Sequence, residues 1–299
     1  MFDETGRTGL TPCDAPQPEP RGHRHTTRAA FTKPGVAGMG LALALAAVLA
    51  LGACQSYHES ITLYEKAKRL WDEGQYDDAA RTYLTIVEIY PGSPLIEDAL
   101  FWAANLYHQF LKEPDLAERY YQQLLVQFPD GPRYLEAMER LAALYETKKE
   151  SRYQAILLYR KLMLSEERKR ARDDYLLRIA ESYVALGRLE QARFELRRLI
   201  QEFPKSTLLP AAYYLVGFTY YWEGRKPLAV IAFNQIQKDF PKDQLAAQGR
   251  FFVAEILEEE GVMRRALEVY ESLRGRYQND GILDKRIQAL RARMARSVR

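Results

Sequence analysis

The chain repeats itself every 37 or 38 residues, and that period limits the fold before any single motif does. An alanine recurs at Ala79, Ala117, Ala155, Ala192, Ala229 and Ala266, at steps of 38, 38, 37, 37 and 37. Twelve or thirteen residues earlier stands another small residue: Ala67, Ala104, Ala142, Ala180, Gly217 and Ala254. Four residues later come Tyr83, Tyr121, Tyr159, Leu196, Phe233 and Tyr270. Twelve later, four registers carry Pro91, Pro129, Pro204 and Pro241, and two carry Glu167 and Gln278. Self-similarity at a period of about 20 to 50 residues marks a stacked array, in which each unit buries its apolar face only against its neighbours.

Each unit reads as helix, turn, helix. The small residues sit where two helices cross closely, and the aromatic four positions on lies on the same helical face. Gly74, Gly187, Gly224 and Gly261 fall between the two helices, where a left-handed C-cap favours glycine. Pro114 and Pro227 fall there too, suited to the first turn of the second helix. This succession of small residue, glycine, alanine, aromatic and proline resembles the tetratricopeptide repeat, across residues 60–278. The resemblance implies an all-α chain: a right-handed α-solenoid of about six helix pairs. The units exceed the usual repeat length of about 34 residues. The excess is expected at the turns Tyr90-Pro91-Gly92-Ser93, Phe128-Pro129-Asp130-Gly131, Phe203-Pro204-Lys205-Ser206 and Phe240-Pro241-Lys242-Asp243. At the third join the proline gives way to a charge run, Ser165 to Arg172. The basic tail 279–299 carries Ile287, Leu290 and Met294 on one face and is expected to cap the last repeat.

Ahead of the repeats the chain is different. Residues 1–35 are polar and proline-rich and read as disordered. Residues 36–53 are apolar and uncharged, preceded by Arg28 and Lys33, in the manner of a secretory leader. They end in Leu51-Gly52-Ala53-Cys54, which resembles the bacterial lipobox. That resemblance implies lipidation of Cys54, which becomes the new N-terminus, and Gln55 after it implies sorting to the periplasmic face of the outer membrane. The alternative is an uncleaved anchor, since 18 apolar residues suffice to span a bilayer. The stretch before the leader is longer than usual, so either the start lies too far upstream or the extension is real. Lipidation of Cys54 and loss of Cys13 with the leader would leave no thiol, as suits an oxidising compartment. Residues 54–59 are expected to be a tether, with Ser60 as the N-cap of the first helix.

No catalytic constellation is present in the sequence. A net charge of +3 over 299 residues gives no nucleic-acid footprint. Of four histidines, His23 and His25 lie in the leader and His58 in the tether; His108 alone lies in the repeats, with no cysteine beside it for a metal site. There is no phosphate loop and no nucleophile elbow. The acidic runs Asp77-Asp78 and Glu258-Glu259-Glu260 read as solvated helix faces. An enzyme, a cofactor, a metal and a small-molecule substrate are therefore not expected. Protein partners are.

In tetratricopeptide arrays the first helix of each pair lines a groove, and register carries that role onto this chain. One residue after the first small position come Lys68, Asn105, Ala143, Glu181, Phe218 and Glu255; four after it, Trp71, His108, Glu146, Val184, Tyr221 and Glu258; three before it, Tyr64, Phe101, Glu139, Leu177, Tyr214 and Phe251. The groove is therefore expected to be aromatic in the first two repeats and the fifth, and acidic in the third and sixth. The candidate contact residues are Tyr64, Trp71, Phe101, Asn105, His108, Tyr214, Phe218, Tyr221 and Trp222. Of the adjacent pair Tyr221 and Trp222, one is expected to face outward. Aromatics at this spacing serve as binding anchors or as core, and for Tyr64 and Phe101 both readings stand. Only Lys68 and Asn105 match the carboxylate clamp of chaperone-tail binders, so a basic or aromatic peptide suits this groove better. The run Glu167 to Arg172 is a hydrated loop, or else a contact for anionic lipid or an acidic partner.

A lipidated cysteine followed by such repeats resembles the BamD-like outer-membrane assembly lipoproteins, most closely from Leu63-Tyr64-Glu65-Lys66-Ala67 to Tyr90-Pro91. The resemblance implies a non-enzymatic scaffold working with a β-barrel insertase complex or its substrates. The chain departs from that family in having six repeats and a degenerate third turn. Other envelope adaptors of this build are the alternative: Tol–Pal or division factors, helpers of secretins or pili, and recruiters of peptidoglycan enzymes.

Overall fold

The computed structural model describes residues 55–297, and these form thirteen packed helices with no strand among them. The first six are α1 (residues 55–72), α2 (Tyr76–Ile89), α3 (Ile96–Leu106), α4 (Pro114–Gln127), α5 (Tyr134–Thr147) and α6 (Arg152–Met163). Then come α7 (Arg172–Ala185), α8 (Leu189–Glu202), α9 (Leu209–Trp222), α10 (Lys226–Asp239), α11 (Gln244–Glu259), α12 (Met263–Ser272) and α13 (Asp280–Ser297). Each helix packs against the next in the chain, giving six antiparallel pairs and a closing helix. The all-α array of about six pairs expected from the period is the fold observed. Residues 1–54 lie outside the described residues, and with them the polar extension 1–35, the apolar segment 36–53 and Cys54. Among the described residues no helix is long and apolar enough to cross a membrane.

The repeated small residues do what their spacing predicts. All six central alanines are fully buried, as are Ala67, Ala104, Ala142, Ala180 and Ala254 at the opposite side of each crossing. The residue four positions after the central alanine fills the space this leaves, and none of Tyr83, Tyr121, Tyr159, Leu196, Phe233 and Tyr270 is appreciably exposed. Gly217 shows how tight the fit is. A methyl group there would stand 2.6 Å from Cε1 of Phe233, so the fifth pair combines the smallest residue with a phenyl ring.

The turns explain the irregular spacing. In repeats one, four, five and six the first helix ends on a glycine with φ between 70° and 80°, at Gly74, Gly187, Gly224 and Gly261. Around Gly74 the Gln75 N–H donates to the Leu70 carbonyl at 2.8 Å, satisfying a carbonyl that the helix end leaves open. Repeats two and three, whose small residues lie thirteen rather than twelve positions apart, have no such glycine. In repeat two α3 widens into a π-helical turn, Tyr107–Leu111, that closes on Lys112 with φ 58°. In repeat three a 3-10 turn, Lys149–Ser151, joins α5 to α6. The extra residue is absorbed there, and the crossing geometry is kept.

Neighbouring repeats are tied by polar groups near the start of each first helix. Ser93 hydrogen-bonds Ser60 at 2.9 Å, the Arg133 N–H donates to Glu97 at 2.7 Å, and Ser206 donates to Asp173 at 2.6 Å. The expected tether and N-cap are corrected by this arrangement. Residues 55–59 are already helical, and Ser60 is buried within α1, donating to the Tyr57 carbonyl at 2.8 Å. No proline or glycine interrupts residues 55–59, so nothing prevents the helix from starting before Ser60. At the other end Leu283, Ile287 and Leu290 of α13 are buried against Phe251, Ala254, Ala266 and Tyr270.

Candidate functional site: the face of the odd-numbered helices

The odd-numbered helices present a continuous side to solvent, and a single geometric rule governs it. The residue four positions after the small residue of one repeat meets the residue two positions before the small residue of the next. Trp71 meets Trp102, ring centroids 5.1 Å apart. Glu146 meets Arg178 at 3.2 Å, and Tyr221 meets Phe252 at 6.0 Å. The register is constant while the chemistry changes: aromatic at both ends, ionic in the middle.

At the amino-terminal end Trp71 lies edge-on to Trp102 and to Phe110 (6.0 Å), and Phe110 lies 4.3 Å from Tyr76. Phe110 sits on the π-helical turn and is exposed. Tyr64 is half-buried against Tyr83, and burial pushes its phenol up to about 12. At the carboxy-terminal end Tyr214, Phe218 and Tyr221 surround Phe252, with Tyr214 6.1 Å from Phe218. Trp222 lies 4.5 Å from Phe218 and is 55% exposed. Tyr221 turns the other way and donates to Glu259 at 2.7 Å; that bond, with burial, raises its phenol to about 12. Trp222 is the member of the pair that faces outward.

Between these ends, α5 and α7 border a cavity of about 430 Å³ lined by Glu139, Arg140, Tyr159, Asp174, Tyr175 and Arg178 among others. Tyr175 hydrogen-bonds Glu139 there. Burial raises the Glu146 carboxyl, partly offset by Arg178 beside it. Glu181, which reaches solvent, is likewise raised, by desolvation first and then by the Glu146 charge, with Arg178 opposing, and no ion pair among the described residues holds it. A cation arriving from outside would find there a carboxylate without an ion pair of its own among the described residues.

Two expected contact residues are core instead. Phe101 is fully buried because the next repeat covers it, with the Arg133 guanidinium 4.9 Å from its ring. Asn105 is buried too: its amide donates to the Phe101 carbonyl at 3.0 Å and its oxygen accepts from the Tyr121 hydroxyl at 3.0 Å. The acidic sixth repeat is also altered, since Glu255 and Glu258 pair with Arg286 and Arg293 of α13. His108 is half-buried on the π-helical turn, its Nδ1 has no hydrogen-bond partner, and burial lowers its pKa, helped by Arg140 and Lys112. Sequence reasoning passed over Tyr76, Trp102, Phe110 and Phe252; the contact rule between successive repeats is the signal that finds Trp102 and Phe252. No group of three or more metal-ligating side chains occurs among the described residues.

Models of the tetratricopeptide repeat match residues 64–132, 174–206 and 211–243, which span α2, α3, α4, α8 and α10 in full and most of α9. The chain carries an array of tetratricopeptide repeats. Among solved structures, a tetratricopeptide-repeat protein from Parabacteroides merdae is 19% identical, with a TM-score of 0.56 over 80% of this chain and 88% of that one. The C-terminal part of such a protein from Cytophaga hutchinsonii is 18% identical, with a TM-score of 0.54 over 70% of this chain and 77% of that one. At these identities the likeness is one of fold. No curated protein matches the sequence. A tetratricopeptide array is a scaffold for contacts between proteins, and it is as a scaffold that the odd-helix face has a use.

Proposed function

We propose that this chain is a non-enzymatic envelope scaffold whose odd-helix face holds an extended segment of a partner protein. The segment would place apolar or aromatic side chains at the two ends and a lysine or arginine at Glu181. The observation that carries this is Trp222, a large apolar ring left 55% exposed on a platform of packed aromatics. Exposed tryptophan backed by rigid neighbours is the usual make-up of a binding hot spot. Glu181 and the half-buried Glu146 supply the opposite charge for a basic residue.

For the setting, the proposal is attachment through Cys54 to the periplasmic face of an outer membrane, in service of β-barrel assembly. Support comes from Leu51-Gly52-Ala53-Cys54 at the end of an apolar run and from the BamD-like opening of the first repeat. Purification from solubilised envelope, with Trp222→Ala as control, tests the role. Recovery of a barrel-forming insertase that is lost in the variant supports it; recovery of Tol components, a secretin or a wall enzyme overturns the barrel-assembly part. Mass and membrane retention unchanged in Cys54→Ala would overturn the anchor.

A further inference from the structure

We propose that the outer side of repeats three and four docks on an anionic lipid surface. This inference rests on neither the odd-helix face nor Cys54. Residues 148–172 hold nine Lys and Arg against three Glu, a surplus of six in a chain whose net charge is +3. On α6, Tyr153, Leu157, Arg160, Lys161 and Leu164 recur at steps of four, three, one and three residues and so share one helical face. That face is turned to solvent, with Leu157 65% and Leu164 82% exposed. Phe194 and Ile231 stand at the register position of Leu157 on α8 and α10, and they are 53% and 63% exposed. Arg197 and Arg198 flank Phe194 as Arg160 and Lys161 flank Leu157.

Not all of these cations are free. Lys148 pairs with Asp115 and Glu118, Arg168 with Glu139, and Lys169 and Arg172 with Glu166. Arg160 and Arg198 share the buried Glu195 at 2.9 and 3.0 Å, and Arg198 also reaches Glu202 at 2.9 Å. Among the described residues Lys161 donates to the Tyr134 hydroxyl at 2.6 Å and has no ion-pair partner, and Arg170 and Arg197 are exposed and without one as well. Between α6 and α8 opens a recess of about 520 Å³ lined by Arg160, Arg172, Phe194 and Arg198 and by the paired acids Glu195 and Glu202, among others. Arg172, which lines that recess, pairs with Glu166 at 3.1 Å, and its Nε is buried without an acceptor among the described residues.

The arrangement of the apolar groups selects the occupant. They stand out singly with cations between them, rather than lining a continuous trough that a folded protein could fill. A second copy of the chain would bring one positive surface against another. A bilayer of anionic lipid meets both demands: each side chain inserts by itself, and each cation finds a headgroup.

The full-length chain tests this with a benzophenone amino acid placed at Phe194, or at Glu181 on the odd-helix face. Vesicles are phosphatidylglycerol mixed with phosphatidylcholine, or phosphatidylcholine alone. Lipid adducts are expected at position 194 in roughly fivefold or greater excess over position 181, only where phosphatidylglycerol is present, and reduced by high salt. Lys161→Glu with Arg197→Glu, checked for an unchanged melting curve, should lower the yield at 194 by about tenfold or more. Absence of adducts, equal yields at the two positions, equal yields on the two vesicles, or crosslinks between protein copies at 194 would each overturn the proposal. The comparison of positions leaves every cation of the outer side in place, so it decides the matter even if the charge-reversed chain fails to fold.

Discussion

The contact between α9 and α11 and that between α5 and α7 occupy the same place in successive repeats, yet opposite chemistry holds them. The first is Tyr221 on Phe252, within a cluster that includes Tyr214, Phe218 and Phe233. The second is Glu146 with Arg178, which also binds Asp174 at 2.8 Å. Each junction is built on buried small residues, Ala142 and Ala180 in one and Gly217 and Ala254 in the other. Chemistry at the junction is thereby released from the task of building the fold. The aromatic junction stabilises by removing area from water, which is insensitive to salt and pH. The ionic one exchanges hydration for a partly exposed pair and contributes little net stability.

The largest effect is expected where the aromatic cluster is opened. Phe252→Ala should cost about 3 kcal/mol, read from the shift of a urea unfolding midpoint. A shift no larger than that of an exposed substitution would mean the cluster is surface decoration. Next, Ala192→Leu and Ala229→Leu should each cost about 1–3 kcal/mol by overpacking, whichever junction lies nearby. If only one of the two melting curves moves, the crossings are not equivalent. Arg178→Leu should cost about 1–2 kcal/mol, because Glu146 keeps its desolvation and loses its cation. That cost should shrink in strong salt, whereas the cost of Phe252→Ala should not.

The two smallest effects concern protons. Glu181 holds its carboxyl proton above the ordinary value, so the folded chain binds that proton more readily than the unfolded one. Stability is therefore lost as pH rises from the ordinary carboxylate value through the raised one. Glu181→Gln should be the more stable at neutral pH, by less than about 1 kcal/mol after solvent screening, and should lose the advantage at pH about 4. His108 has the opposite sign. Its folded pKa lies below 6.5, so stability is full above that value and falls as the unfolded chain takes up the proton first. Melting temperature followed downward from neutral pH should decline less in His108→Gln than in the parent; equal slopes would show that the imidazole is not the group responsible.

What the sequence made legible was whatever the period repeats. Ala79 and its five echoes, the rings four positions on, and the left-handed glycines all stand where spacing puts them, because each is decided inside one helix pair. Phe101 and Asn105 are different: seen on their own helix they point toward the groove, and only the following repeat and the facing helix bury them. Trp102 and Phe252 escaped for the converse reason. Two positions before a small residue looks unremarkable until the offset between neighbouring repeats is known. The acids of the last repeat, Glu255 and Glu258, could not be seen as neutralised without knowing where Arg286 and Arg293 of the closing helix would lie.

The wide turn at Tyr107–Leu111 has a consequence for how such a chain can change its length. One residue added to a straight α-helix swings everything beyond it by about 100°. Here the surplus residue is wound into five residues of broader coil, and α4 leaves with its alanine still aimed at the crossing. The turn behaves as a slip clutch in a drive shaft: material can be let in on one side while the orientation delivered to every later repeat stays the same.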